Sequence, residues 1–235
     1  RIIFGCGQVQ SGSFLDTAAP NGLLGLGMDK LSVPSILSAA GLTTDSFSMC
    51  FGSDGVGRIL FGDQGSPDQA VTPFNHPTYN VNVTGLLVGT SIDTTFSALF
   101  DTGTSFTYLA DPAYKLLSES FNSQARDKRD SRIPFEYCYF RSPVENDSVI
   151  PSISLTMKGG GLFSVSEPVI VISTRVEVVY CLAVIKSSSL NIIGQNYMTG
   201  QRIVFDREKL VLGWKKFDCY AMEDSSTLPM NPENP

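Results

Sequence analysis

Phe96-Ser97-Ala98-Leu99-Phe100-Asp101-Thr102-Gly103-Thr104-Ser105-Phe106-Thr107-Tyr108-Leu109 is the stretch that decides the fold of this chain. An apolar run (Phe96, Ala98, Leu99, Phe100) leads into Asp-Thr-Gly, and a second (Phe106, Tyr108, Leu109) leads out. That order predicts a buried strand, a tight turn and another strand. Two readings of Asp101 are open on the residues alone. In one, it forms an ordinary Asx turn and its carboxylate serves its own backbone. In the other, the carboxylate stands in a partly desolvated turn, where it must be hydrogen-bonded or paired. Thr102, Thr104 and Ser105 supply hydroxyls for this, and Gly103 leaves its N–H open to approach.

Working outward, an internal echo stands out. Leu23-Leu24-Gly25-Leu26-Gly27 resembles Ile192-Ile193-Gly194-Gln195-Asn196: two large apolar residues, then glycine. Both read as buried strands in which the glycine permits close approach by another backbone segment. A duplicated fold follows as an expectation. The second copy has the Asp101 turn upstream; the counterpart for the first copy would fall before residue 1.

The rest of the chain is punctuated into short β-branched runs. Examples are 58–62, 79–83, 169–172, 178–185 and 201–206, all read as strands. Two helices are predicted. One covers 32–40, with Pro34 in its first turn and Gly41 after its end. The other covers 111–124, with Asp111 as cap, Pro112 at its first position, and Tyr114, Leu117 and Phe121 on one face. The architecture is therefore mostly β.

Composition narrows the function. The 235 residues carry 17 Lys and Arg against 23 Asp and Glu, a net charge of −6. The basic residues are scattered, apart from a small cluster (Arg126, Lys128, Arg129, Arg132) read as a solvated loop. A nucleic-acid partner would need a basic face, and none is visible. No run is long enough to span a membrane, so no membrane contact is expected in this segment. One histidine (His76) and five cysteines without a CxxC pair argue against a zinc site, and no cofactor is expected. The wide cysteine spacing predicts disulfides and an oxidising compartment. Two sequons, at Asn82 and Asn146, point the same way. The first residues read as a strand already under way, so more chain is expected upstream; the proline-rich 221–235 segment reads as a disordered tail.

Phe4-Gly5-Cys6-Gly7, Gly22-Leu23-Leu24-Gly25-Leu26-Gly27, Phe47-Ser48-Met49-Cys50-Phe51, Gly62-Asp63 and Val83-Thr84-Gly85-Leu86-Leu87-Val88-Gly89 occur in that order. Phe100-Asp101-Thr102-Gly103-Thr104-Ser105, Asn191-Ile192-Ile193-Gly194-Gln195 and Ile203-Val204-Phe205-Asp206 through Leu212-Gly213-Trp214 follow them. With these motifs, residues 1 to about 220 resemble the pepsin-like aspartic proteases, most closely their plant, nepenthesin-like branch.

The resemblance implies a bilobal, mostly β acid-protease fold. Residues 1–72 would be the end of an N-terminal lobe with interlobe strands, and 73–220 a complete C-terminal catalytic lobe. It implies that Asp101 is one of two catalytic aspartates and that Gly103 and Thr104 contact a polypeptide substrate. Thr102, Ser105 and Gly194 would support the site, with Gly25 matching Gly194 in the other lobe. Cys138 would pair with Cys181 and Cys50 with Cys219. Cys6 would be left for a cysteine of the missing N-terminal lobe, or be a buried free thiol. The second aspartate and the flap tyrosine are not in these residues: Asp16-Thr17-Ala18 and Asp54-Gly55-Val56 do not replace them.

The expected activity is therefore aspartic endopeptidase, by water activation between two carboxylates, with no activity from this chain alone. The expected setting is secreted: cell wall, extracellular space or vacuole. An alternative is an inert binding protein on the same fold, of the glycanase-inhibitor kind. A third reading, two chains pairing their Asp101 residues, conflicts with the lobe remnant in 1–72.

Overall fold

The computed structural model describes residues 4–12, 21–75, 78–130, 135–142, 148–173 and 177–219. Asp16-Thr17-Ala18, His76, Arg132, Asn146 and the 221–235 segment lie outside the described residues.

The expected mostly β architecture is what forms. Helix α1 (Val33–Ala39) precedes the hairpin of β1 (Ser46–Phe51) and β2 (Gly57–Phe61). Next come β3 (Ala70–Asn75), β4 (Asn80–Val88), β5 (Thr90–Phe100) and β6 (Thr107–Ala110). After α2 (Ala113–Gln124) follow β7 (Arg129–Asp130), β8 (Cys138–Phe140), β9 (Ile153–Met157) and β10 (Leu162–Val165). The chain continues with β11 (Val169–Ser173), β12 (Val178–Leu182), β13 (Val184–Ser187) and β14 (Ile192–Ile193). The single turn α3 (Gln195–Met198), β15 (Gln201–Asp206) and β16 (Val211–Lys216) complete it.

One large sheet runs β13-β6-β14-β5-β4-β3-β16-β15-β1-β2, with β9 and β10 branching from β4; a smaller one runs β11-β12-β8-β7. The end of the chain thus ties the start to the middle, because β15 and β16 lie between β1 and β3. Strand β3 straddles residue 72, so this sheet is continuous across the expected lobe boundary.

Alternation builds the core. In β4, Val81 and Val83 point inward, the register slips between Val83 and Gly85, and Leu86 and Val88 take over the inward face. A one-residue slip of this kind changes which face each later residue occupies. Tyr114, Leu117 and Phe121 of α2 are buried in the same core, as their spacing requires. The helix differs at its start. It begins at Ala113 with Pro112 in the cap position, and no side chain caps it. The carboxylate of Asp111 is taken instead by the Lys186 ammonium of β13, 2.8 Å away. The 178–185 run also differs: it is two strands, β12 in the small sheet and β13 in the large one. The change falls at Ala183, whose N–H donates to the Pro168 carbonyl.

Disulfides join Cys50 to Cys219 and Cys138 to Cys181. Cys6 is exposed and not bonded among the described residues, so it is not the buried thiol of the alternative reading. No helix among the described residues is long and apolar enough to cross a membrane.

Candidate active site

The end of β5 delivers Asp101. Strand β14 lies parallel to β5, with Ile192 beside Leu99 and Ile193 beside Phe100, and it meets β6 at Tyr108. The Asp101 N–H donates to the Ile193 carbonyl at 3.1 Å, so the turn starts where the pairing ends. Both readings of the carboxylate hold at once. Gly103 N–H donates to Oδ1 at 2.9 Å, which is the Asx turn, and the Thr104 hydroxyl donates to Oδ2 at 2.6 Å. Hydrogen bonds from these two donors fix the plane of the group.

Gly194 backs this turn as expected. A Cβ at that position would sit 2.2 Å from the Phe106 carbonyl oxygen and 2.8 Å from that of Thr104. Only glycine lets the two backbones approach this closely. The turn is also stitched to α3: Gln195 N–H donates to Thr104 O (2.8 Å) and Asn196 N–H to Ser105 O (3.1 Å). Thr102 lines the cleft beside Asp101, while Gly103 and Ser105 are exposed. Gly25 is different. A Cβ there would meet nothing within 4 Å, so the close approach expected of it is not made among the described residues.

An open cleft of about 310 Å³ lies between Asp101 and the 27–28 segment, with Met28, Tyr79 and Phe205 on its walls. Tyr79 was legible only as part of a strand. In the fold its hydroxyl donates to the Leu26 carbonyl at 2.6 Å, and its own carbonyl accepts from Phe100 N–H at 3.1 Å. Its ring packs edge-on against Phe47 and Phe205. Burial pushes its phenol up to about 12, against the opposing pull of the Arg207 charge. Thr107 and Asn196 were also missed as site residues; they become visible only when β6 and α3 are brought together.

Of the remaining expected residues, Asn82 lies in β4 with its amide paired to that of Asn75, at 2.7 and 3.3 Å. Trp214 is core, its indole N–H donating to the Leu162 carbonyl.

Residues 78–216 match the family model described as Xylanase inhibitor C-terminal, and residues 1–63 match Xylanase inhibitor N-terminal. The chain is 58% identical to Aspartyl protease family protein 1 of Arabidopsis thaliana, over 98% of this chain and 47% of that protein. It is 29% identical to aspartic proteinase nepenthesin-2 of Nepenthes gracilis, over 94% of this chain and 55% of that protein. It thus spans about half the length of the curated relatives it matches. Among solved structures it is similar in fold to conglutin gamma, a basic 7S globulin from lupine seeds. The TM-score is 0.73 and the identity 21%, over 88% of this chain and 61% of that one. The chain belongs to the pepsin-like aspartic protease family, in the plant branch that includes the nepenthesins and the xylanase-inhibitor-type domains.

Proposed function

We propose that this chain supplies half of a two-aspartate endopeptidase centre, with Asp101 as one carboxylate and a polypeptide as substrate. The observation that supports this most is the Asp101 carboxylate, oriented by Gly103 and Thr104 at the edge of an open cleft and backed by Ile193 and Gly194. An inert scaffold has no need of that arrangement. The second carboxylate is assigned to chain outside residues 1–235, because Asp-Thr-Gly occurs once in the sequence. Two acids held close together cannot both ionise, so they share a proton. One takes a proton from a water as that water attacks the scissile carbonyl. The other gives its proton to the carbonyl oxygen. As the tetrahedral intermediate collapses, the first passes the proton it took from water to the leaving amine, and the second takes a proton back from a hydroxyl of the intermediate. Gly103 and Thr104, next to the carboxylate, are the proposed contacts for substrate backbone.

A second reading, a non-hydrolytic binding protein on this fold, is favoured by the xylanase-inhibitor family models and by the likeness to a seed globulin. One experiment separates the two. Full-length protein is incubated with a denatured polypeptide across pH 2–7, as wild type and as Asp101→Asn. The protease reading expects cleavage that the substitution lowers by about 10³-fold or more. Equal, negligible cleavage by both selects the binding protein. Secretion and glycosylation at Asn82 and Asn146 are proposed with the disulfides as support; intact-mass measurement before and after glycan removal tests them.

A further inference from the structure

The Asp101 turn rests on a polar contact that the mechanism above does not use. Thr107, at the start of β6, is fully buried. Its hydroxyl accepts from Gly194 N–H at 3.2 Å and donates to the side-chain oxygen of Asn196 at 3.0 Å. The Asn196 amide nitrogen then donates to the Ala183 carbonyl at 2.8 Å, where β12 gives way to β13. A buried hydroxyl with both bonds made fixes its neighbours in one arrangement, because any other leaves a polar group unpaired. Here the neighbours are the two segments that hold the Asp101 turn. Between Asp101 and Thr107 lie five residues, and two of them, Thr104 and Ser105, accept from the N–H groups of Gln195 and Asn196. Thr104 in turn orients the Asp101 carboxylate.

We infer that Thr107 and Asn196 are positioning residues for the proposed reaction: together they set the 104–107 backbone, and through the Thr104 hydroxyl the orientation of Asp101. The inference rests on the protease reading. Neither side chain reaches the cleft, so both act on the reacting atoms through Thr104. A misplacement of a reacting group by about 1 Å costs on the order of 100-fold in rate, while binding elsewhere in the cleft is left intact.

The test uses the full-length protein with a peptide substrate, and measures kcat, KM and the thermal midpoint for Thr107→Val, Thr107→Ser and Asn196→Ala. Valine keeps the volume and removes the hydroxyl; serine keeps the hydroxyl. The expected result is a kcat lowered about 10- to 100-fold by Thr107→Val and by Asn196→Ala, with KM within about twofold and serine restoring most of kcat. If the valine variant does not fold, the half-buried Asn196 position and the serine variant still carry the comparison. A lowered midpoint with kcat per folded molecule unchanged overturns the inference and leaves the protease reading standing. A wild type that does not cleave, with Asp101→Asn no different, overturns both.

Discussion

Leu23-Leu24-Gly25-Leu26 and Ile192-Ile193-Gly194-Gln195 carry the same pattern and end in opposite surroundings. Ile193 is 0% exposed, flanked by β5 and β6, with the 104–106 backbone pressed against Gly194. Leu23 is 76% exposed and Leu24 is 61% exposed, in no strand, with open space around Gly25. The difference lies in the partners rather than the residues. An apolar pair followed by glycine is a surface made for two neighbours, and it becomes a buried strand only where both are supplied. The second copy has them in β5 and β6. The first keeps two links to its surroundings: Gly25 O accepts from Val33 N–H, and Leu26 O accepts from the Tyr79 hydroxyl.

The largest expected effect breaks the pair apart at glycine. Gly194→Ala forces a methyl into the Phe106 and Thr104 carbonyls, which are backbone and cannot rotate away. The expected cost exceeds about 4 kcal/mol, the range of severe overpacking, and thermal unfolding reads it. Gly25→Ala in the same chain is expected to stay within about 0.5 kcal/mol of wild type. Equal costs in this chain would mean that the first copy is packed after all. Repeating Gly25→Ala in a longer chain sharpens the contrast, since a cost appearing only there locates additional packing at this glycine.

How much of this could be read beforehand follows the same division. The Asp101 turn, the 192–193 strand, the apolar face of α2 and the two disulfides were legible, because local spacing or the family's motifs fix them. The exposure of Leu23 and Leu24 was not, since the letters are the same whether or not a partner is present. The Asp111 cap failed for a related reason: Lys186, 75 positions away, competes for the carboxylate at 2.8 Å. The 178–185 run read as one strand because β-branched spacing does not show a change of sheet. What changes the sheet is the Pro168 carbonyl meeting Ala183 N–H, a contact between distant segments. The Thr107–Asn196 pair is a long-range meeting of the same kind.

A middle-sized effect concerns the two covalent ties. Cys50–Cys219 closes 169 positions of sequence and holds β1, the strand that follows the exposed copy, to the segment after β16. Cys138–Cys181 closes only 43, within the small sheet. Loop-closure entropy makes the longer tie worth about 1 kcal/mol more, on a typical total of about 3 kcal/mol. Replacing each pair by alanines and measuring urea midpoints is expected to show the larger loss for Cys50–Cys219. The reverse order would place the weaker region in the small sheet rather than near the exposed copy.

The smallest effect tests a side chain that touches both copies' surroundings. Tyr79 donates its hydroxyl proton to Leu26 of the first copy, and its carbonyl accepts from Phe100, one residue before Asp101. Tyr79→Phe removes the hydroxyl and keeps the ring packing, so about 1 kcal/mol should be lost at neutral pH. The pH dependence adds an independent check. Burial raises the phenol from its ordinary value near 10 to about 12, so the folded state holds this proton more tightly than the unfolded state does. The stabilisation that goes with it is complete below pH 10 and is lost as pH rises through about 12. Tyr139, raised to about 12 chiefly by burial, behaves alike but is present in both proteins. Wild type therefore loses a contribution over this window that Tyr79→Phe never had, and the two stability curves should converge. A gap that stays constant from pH 10 to 12 would show that the Tyr79 hydroxyl is open to solvent in the folded protein, and with it that Leu26 is not held against the Asp101 side of the cleft.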